Sequence, residues 1–494
     1  MFDPNPSPIA WSIAGTDPSG GAGIQADLKV MNGLGVHGCS VITAMIAQNS
    51  TGVRAVEPVS TAMVQAQLNA LHEDFPPAAI KLGMLTSRAA VESVANALSS
   101  VAVPVVCDPV LVSSSGTALL DEDAQEPFKR DVLPHVDLLT PNRPEAETLL
   151  GRRIRSDEEV ESAAEDLLRL GPQSVLIKGG HAEGPYAQDF WTDGSTRWWI
   201  TLPRLETRST HGTGCVLSSA LAACLALGHT VPDALVIARA YLQQGLRTAP
   251  SLGEGYGPLA FGGWPSSPED FPWLTPTATE GRDPKPFPDC GSTPLGLYPI
   301  VDRLEWLKKL LPLGIPTVQL RIKDLEGEAL DNEVRGAIEY AREFEGCRLF
   351  INDRWELALQ HGAYGVHLGQ DDLPGADLDS LRNAGLRLGI STHSYSELAR
   401  AWSCRPSYVA LGTLFKTTSK VMDYPPLGLD AFLRMRRLQS VPTVAIGGIS
   451  LSKAPEVLAA GADGLAVISE ITQAPDLEGR VRGWQELLDH ANEL

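Results

Sequence analysis

A cysteine, Cys215, stands directly behind two glycines in HGTGC, residues 211–215, and opens a long apolar stretch, VLSSALAACLALG. Glycines leading into a helix leave its first backbone N–H groups free to point at a ligand. Gly212, Thr213 and Gly214 therefore suit a phosphate or a developing negative charge. A thiol at such a terminus has its thiolate favoured by the helix dipole. A buried cysteine filling a small space fits the same pattern, and both readings stand at this point.

A second constellation lies in TVQLRIK. Gln319, Arg321 and Lys323 are two apart, so on one strand their side chains share a face, opposite Val318, Leu320 and Ile322. Unpaired cations facing inward are costly, which implies a bound polyanion. Asn352 and Asp353 follow RLFIN, and Asp371 and Asp372 follow YGVHLG. Carboxylates beside such a site suggest magnesium bridging phosphate oxygens. Lys420 adds a cation, and Gly447, Gly448 and Ser469 end two later strands, where barrels often hold a second phosphate.

Elements must position these groups. Over the first ~250 residues, strand-like runs (AWSIAG, SVITAMIA, AIKLGML, PVVCDPV, VDLLTPN, SVLIKGG) alternate with helical patterns, which predicts a doubly wound α/β domain. In such sheets ligands collect at strand C-termini. Asp27 in AGTDPSGGAGIQADLK, Asn142 and Glu145 in TPNRPEAE, and Lys178 in VLIKGG are expected to converge there. From residue 255 to 294 Pro, Gly, Ser and Thr crowd the chain without periodicity, the signature of an interdomain linker. Eight further runs follow, LYPIV, TVQLRI, RLFIN, YGVHLG, RLGIS, YVALG, TVAIGG and GLAVIS, which predict a (β/α)8 TIM barrel. The expected domains are residues 1–260, a linker at 261–293, and residues 294–494.

The 494 residues carry a formal charge of −20, which disfavours nucleic acid or an anionic membrane as partner. The seven cysteines show no CxxC spacing, so neither a zinc site nor a disulfide framework is expected. No apolar run approaches a membrane span, and a cytoplasmic protein is expected.

Seven motifs in order, from AGTDPSGGAGIQADLK through GCSVITAMIAQNSTGV, AIKLGMLTS, VVCDPVLVSSSG, TPNRPEAETLLG and VLIKGGH to HGTGCVLSSALAACLALG, resemble the hydroxymethylpyrimidine/phosphomethylpyrimidine kinases of the ribokinase superfamily. The resemblance covers about residues 8 to 260. It implies that Gly15, Asp27 and Gln48 hold the pyrimidine, with Met84 packed on its ring, and that Cys215 acts on the substrate hydroxyl. It also implies that Asn142 and Glu145 organise magnesium, with Asp108 and Lys178 near the phosphates of ATP, the co-substrate. Met84 also reads as core, and Asp108, before Pro109, as a turn residue. Val216 and Tyr256 depart from the family pattern away from this chemistry.

The second half resembles thiamine-phosphate synthase through LYPIVD, QLRIK, FINDRWELALQHGAYGVHLGQDDL, GISTHS, YVALGTLFKTTSK, VAIGGIS and AGADGLAVISEI. That likeness implies Gln319, Arg321, Lys323 and Asn352 on the diphosphate and Asp353 and Asp372 on Mg2+. Ser391, Thr417, Ser419 and Lys420 would touch the substrates, and Gly448 and Ser469 the thiazole phosphate. Ser419 replaces a frequent Thr, and Lys416 a usual Pro.

Together these features predict a bifunctional enzyme of thiamine biosynthesis acting on small molecules, with room for a homo-oligomer. The alternatives are a pyridoxal-type vitamin kinase fused to a phosphate-binding barrel, and a non-catalytic ligand-binding regulator.

Overall fold

Short strands buried along their whole length, such as Ala79–Leu82 and Ser174–Ile177, are what a sheet covered on both faces requires. The computed structural model describes residues 7–111, 119–180, 184–278, 285–417 and 425–492, in two units, Met1–Arg282 and Asp283–Leu494.

The strands of the first unit are β1 (Ile9–Ala14), β2 (His37–Ile42), β3 (Ala44–Asn49), β4 (Gly52–Pro58), β5 (Ala79–Leu82) and β6 (Val105–Cys107). They continue with β7 (Leu138–Leu139), β8 (Ser174–Ile177), β9 (Tyr186–Thr192), β10 (Arg197–Pro203) and β11 (Trp273–Thr275). The main sheet runs β11-β10-β9-β8-β7-β6-β5-β1-β2. It is parallel from β8 to β2 and antiparallel from β8 to β11. β3 and β4 form a separate antiparallel ribbon, so the single run SVITAMIA is divided between the sheet and this ribbon at Thr43.

Alternation along β1 and β5 separates two kinds of face. Trp11, Ile13, Ile80 and Leu82 join one large apolar core with Val91, Val94, Val160 and Ala163 from helices. Ser12 and Lys81, of opposite parity, face the other side. That side receives helix α1 (Gly23–Gly33), and further along the chain come α2 (Arg143–Leu150), α3 (Thr213–Ala226) and α4 (Val231–Arg247). Every residue of α3 from Val216 to Leu225 is buried, as a helix apolar all round must be.

The segment expected to be a linker is largely packed. Trp273–Thr275 pairs with β10 at the sheet edge. In the second unit Phe287 lies 4.5 Å beneath the Arg382 guanidinium, and Cys290 joins the barrel core. A three-residue strand and isolated anchors between prolines have no period to detect, which is why the composition reads as linker.

The second unit is a closed parallel barrel of eight strands, as counted from the sequence. They are β12 (Gly296–Val301), β13 (Thr317–Leu320), β14 (Arg348–Asn352), β15 (Gly365–Leu368), β16 (Arg387–Thr392), β17 (Tyr408–Leu411), β18 (Thr443–Ile446) and β19 (Gly464–Val467). β19 returns to pair with β12. Tyr298, Ile300, Phe350, Tyr408, Val444 and Ala466 pack together as its core.

Candidate active sites

In the first unit, two glycine-rich turns are locked together. Gly212 caps α3 at φ 85°, the left-handed region that favours glycine, and a Cβ there would lie 1.9 Å from the Gly21 carbonyl oxygen. His211 Nε2 sits 2.8 Å from Asp17 Oδ2. The fully buried Asp17 also accepts from the Ser19, Gly21 and Ala22 backbone amides. Burial alone would raise its pKa, but His211 and the Ser19 hydrogen bonds prevail and hold the carboxyl well below its usual range. Asp17 and His211 both lie inside the glycine-rich motifs, but no local spacing marks them as partners.

Beside the start of α3 is a charged cluster drawn from strand ends. Lys178 Nζ donates to Asp108 Oδ1 at 2.7 Å and lies 4.0 Å from Glu145 Oε2. A Cβ on Gly214 would stand 2.9 Å from Asp108 Oδ2 and 3.2 Å from Lys178 Nζ, so Gly212–Gly214 faces this cluster closely. Asn142 and Glu145 make the reciprocal capping box of α2. Burial, reinforced by the charge of Asp108, pushes the Glu145 carboxyl up to about 7 despite Lys178.

At the end of β1, a Cβ on Gly15 would lie 2.9 Å from Met84 Cε and 3.1 Å from Ile46 Cδ1. Gly15, the buried Met84 and the β3 ribbon carrying the half-buried Gln48 thus meet at one spot, as a ring pocket requires.

Two expectations are corrected. Asp27 offers no accessible oxygen. It is fully buried, accepting from Ser219 (2.6 Å) on Oδ1 and from Ser12 (2.5 Å) and Lys81 (2.7 Å) on Oδ2. Its partner Lys81, a lysine inside the apolar run AIKL, was the missed signal. The Cys215 thiolate is not favoured either. Burial pushes the thiol up to about 11, outweighing the Lys81 ammonium and the Gly23 hydrogen bond that work the other way.

In the barrel, β13 ends at Leu320, so of the three only Gln319 lies within the strand, although Arg321 N still donates to the Val301 carbonyl of β12 at 2.7 Å. Arg321 and Lys323 reach the mouth from the loop beyond, a departure from the single-strand expectation, and Lys323 pairs with Asp353. Asp353 has φ 60°, a left-handed conformation that aspartate tolerates better than most residues, and its N–H donates to the His367 carbonyl. Asp372 lies close enough that burial and the Asp353 charge raise its pKa. Two carboxylate oxygen donors beside a polyanion site match what Mg2+ takes from proteins, with phosphate and water completing its shell.

Deeper in the lumen runs a hydrogen-bonded chain. Gln319 donates to Tyr298 (3.4 Å), Tyr298 meets Tyr408 (2.7 Å), Tyr408 meets His367 Nδ1 (2.7 Å), and His367 Nε2 meets Ser391 Oγ (2.8 Å). Burial pushes His367 down to about 4, against the pull of Asp353, so it stays neutral. Tyr298, His367 and Tyr408 were not singled out from sequence; a histidine within the strand-like YGVHLG was the available signal. Asn352 closes β14, buried. Gly447 and Gly448 end β18, and a Cβ on Gly448 would lie 2.4 Å from the Lys416 carbonyl oxygen. Ser469 heads a short helix after β19. Thr417 lies on the neighbouring loop, whereas Ser419 and Lys420 fall outside the described residues.

Comparison with known proteins gives two family matches, "Phosphomethylpyrimidine kinase" over residues 17–260 and "Thiamine monophosphate synthase" over residues 297–471. The chain is 32% identical to the probable thiamine biosynthetic bifunctional enzyme, chloroplastic, of Oryza sativa subsp. japonica, across 99% of this chain and 90% of the relative. Its first half is 46% identical to the hydroxymethylpyrimidine/phosphomethylpyrimidine kinase of Rhizobium meliloti, across 51% of this chain and 96% of that one. Its second half is 54% identical to the thiamine-phosphate synthase of Photorhabdus laumondii, across 37% of this chain and 84% of that one.

Proposed function

Since the chain belongs to the thiamine biosynthetic bifunctional enzymes, with a kinase half and a thiamine-phosphate synthase half, we propose how its residues divide that chemistry. The first half phosphorylates hydroxymethylpyrimidine and then its monophosphate, and the second joins the diphosphate to thiazole phosphate with release of pyrophosphate. The relatives that span both halves favour this reading over a pyridoxal-type kinase or a non-catalytic regulator.

In the kinase half the pyrimidine rests between Gly15, Met84 and Gln48, and the phosphates of ATP lie toward Lys178 and Asp108. The substrate hydroxyl oxygen attacks the γ-phosphorus, the bond to ADP breaks, and the hydroxyl proton passes to the Cys215 sulfur. Because the resting thiol is protonated, the reactive form is the minor thiolate. The N–H groups of Gly212–Gly214 stabilise charge on the transferring group. The observation that carries this assignment is the close facing of Gly214 on the Lys178–Asp108 pair.

In the barrel the methylene carbon to diphosphate oxygen bond breaks, pyrophosphate leaves with the electron pair, and the thiazole nitrogen bonds to the methylene. No protein base is needed for this exchange. Arg321, Lys323 and Asn352 bind the diphosphate, with Lys420 and Ser419 read from sequence alone. Gln319, expected on the diphosphate, is buried on the lumen chain and with Ser391 orients the pyrimidine instead; Thr417 stands nearby, and Gly448 and Ser469 hold the thiazole phosphate. Asp353 and Asp372 would hold Mg2+, which when bound offsets charge on the pyrophosphate oxygens.

Among the described residues no helix is long and apolar enough to cross a membrane. Seven free cysteines suit a reducing compartment, which supports a cytoplasmic location, while the plant relatives are named chloroplastic. The test of the whole reading is one incubation of the chain with hydroxymethylpyrimidine, Mg-ATP and thiazole phosphate. Thiamine phosphate with two ADP per product supports it; pyrimidine diphosphate accumulating unreacted refutes the barrel assignment, and absence of ADP refutes the kinase assignment.

A further inference from the structure

The strand end that carries Lys178 is held from behind by a buried pair no part of the chemistry uses. Gly179 N donates to Asp189 Oδ1 of β9 at 2.9 Å. Asp189 Oδ2 in turn lies 2.8 Å from Arg239 Nε of α4, with the two side chains only 4% and 5% exposed. This contact is charge to charge, off the hydrogen-bonding direction. Gly179 has no room to adjust, because a Cβ there would lie 1.8 Å from the Gln188 carbonyl oxygen. Gly180 is fixed as well, its carbonyl accepting from Arg204 at 2.9 Å.

A buried ion pair loses in desolvation much of what it gains in attraction, and apolar residues of the same volume often stabilise a fold as well. What apolar residues cannot do is accept the Gly179 N–H. Lys178 precedes that amide by one residue and spans to Asp108, so a small rotation at Gly179 moves its ammonium away from the start of α3.

We propose that Asp189 and Arg239 are positioning residues of the kinase half: the pair fixes the strand end after β8 and so sets where Lys178 meets the nucleotide phosphates. Arg239 keeps the Asp189 carboxylate aimed, and Asp189 holds the backbone. This rests on the assignment of Lys178 to the phosphates. The pyrimidine pocket at Gly15 and Met84 lies on β1 and after β5, several strands away, and is not part of the brace.

The test measures KM for ATP, KM for the pyrimidine and kcat in the full chain, for Arg239→Gln, Arg239→Lys, the apolar pair Asp189→Leu/Arg239→Met, and Lys178→Ala. Loss of positioning by a fraction of an ångström predicts a rise in KM for ATP of about 10- to 100-fold in Arg239→Gln. KM for the pyrimidine should stay within about twofold, since small changes away from a contact alter affinity little, and Arg239→Lys should recover most of the loss. If Arg239→Gln fails to fold, the apolar pair replaces it, because it leaves no unpaired buried carboxylate and no acceptor for the Gly179 N–H. Folded variants with both KM values unchanged, or with both raised equally, overturn the proposal. An unchanged KM for ATP in Lys178→Ala would instead overturn the phosphate assignment beneath it.

Discussion

His211 Nε2 and Asp17 Oδ2 are 2.8 Å apart although 194 residues separate them, and that contact ties the loop after β1 to the start of α3. The glycine-rich turn after β1 and the turn that opens α3 are therefore held together. Asp17→Asn, which keeps the size and loses the charge, should lower the kinase kcat by about 10- to 100-fold through misplacement of the anion hole. It should also destabilise the first unit by about 1–3 kcal/mol, because an amide NH2 in place of Oδ2 cannot accept from the Gly21 and Ala22 backbone amides. Coupling of supplied diphosphate should be unchanged. Stopped assays of each half-reaction, with a denaturant melt, check all three.

The raised Cys215 thiol makes a pH prediction with a definite sign. A thiol at about 11 is ionised to only about one part in ten thousand at pH 7, and each pH unit below 11 multiplies the thiolate tenfold. If the thiolate takes the proton, kinase kcat climbs with slope one from pH 7 to 9 while the synthase rate does not follow it. A flat profile in that range removes Cys215 as base. Alkylation of Cys215 across the same pH range reads the thiol directly.

Lys81 and Asp27, both fully buried, form a closed charge pair beneath Cys215. Lys81→Met should destabilise the first unit by about 3–5 kcal/mol, because it leaves a carboxylate buried without its cation. Adding Asp27→Leu should recover much of that loss. Urea melts of the single and double variants check this; a single variant as stable as the parent would contradict the pairing.

His367 gives the barrel an acid-sensitive fold. Its pKa is depressed to about 4 in the folded chain, against 6.5 for the free side chain. Between those values the unfolded chain binds the proton and the folded chain does not, so stability falls as pH drops through this window. The loss is about 3 kcal/mol once pH has fallen to 4. His367→Gln, which cannot titrate, should flatten this dependence in a pH series of melts of the barrel.

The barrel was legible because each strand is buried whole, and an apolar run of four or five residues between loops is a strong local signal. Strand ends pointed to Asn352, Asp353 and the pair Asp371 and Asp372, and the choice of Asp372 from that pair came only with the family resemblance. Lys323 lies in the loop beyond β13, where spacing by two no longer fixes a face, while the Arg321 N–H still bonds Val301 of β12. Asn142 and Glu145 were expected only at the site, and in the fold they form the cap of α2, with Glu145 beside Lys178. Residues that act by pairing across long separations, Asp17 with His211 and Lys81 with Asp27, stayed hidden. A lysine in AIKL announces that a counter-ion exists but not which carboxylate the topology will deliver.

Two independent sites on one chain make a direct demand on mixtures. Purified Cys215→Ala and Arg321→Ala chains, each folded, are incubated separately and then together with hydroxymethylpyrimidine, Mg-ATP and thiazole phosphate, and thiamine phosphate is measured by mass. Neither should form product alone, and the mixture should, because the diphosphate made by Arg321→Ala reaches the intact barrel of Cys215→Ala. Product from Cys215→Ala alone, or none from the mixture, would contradict the account.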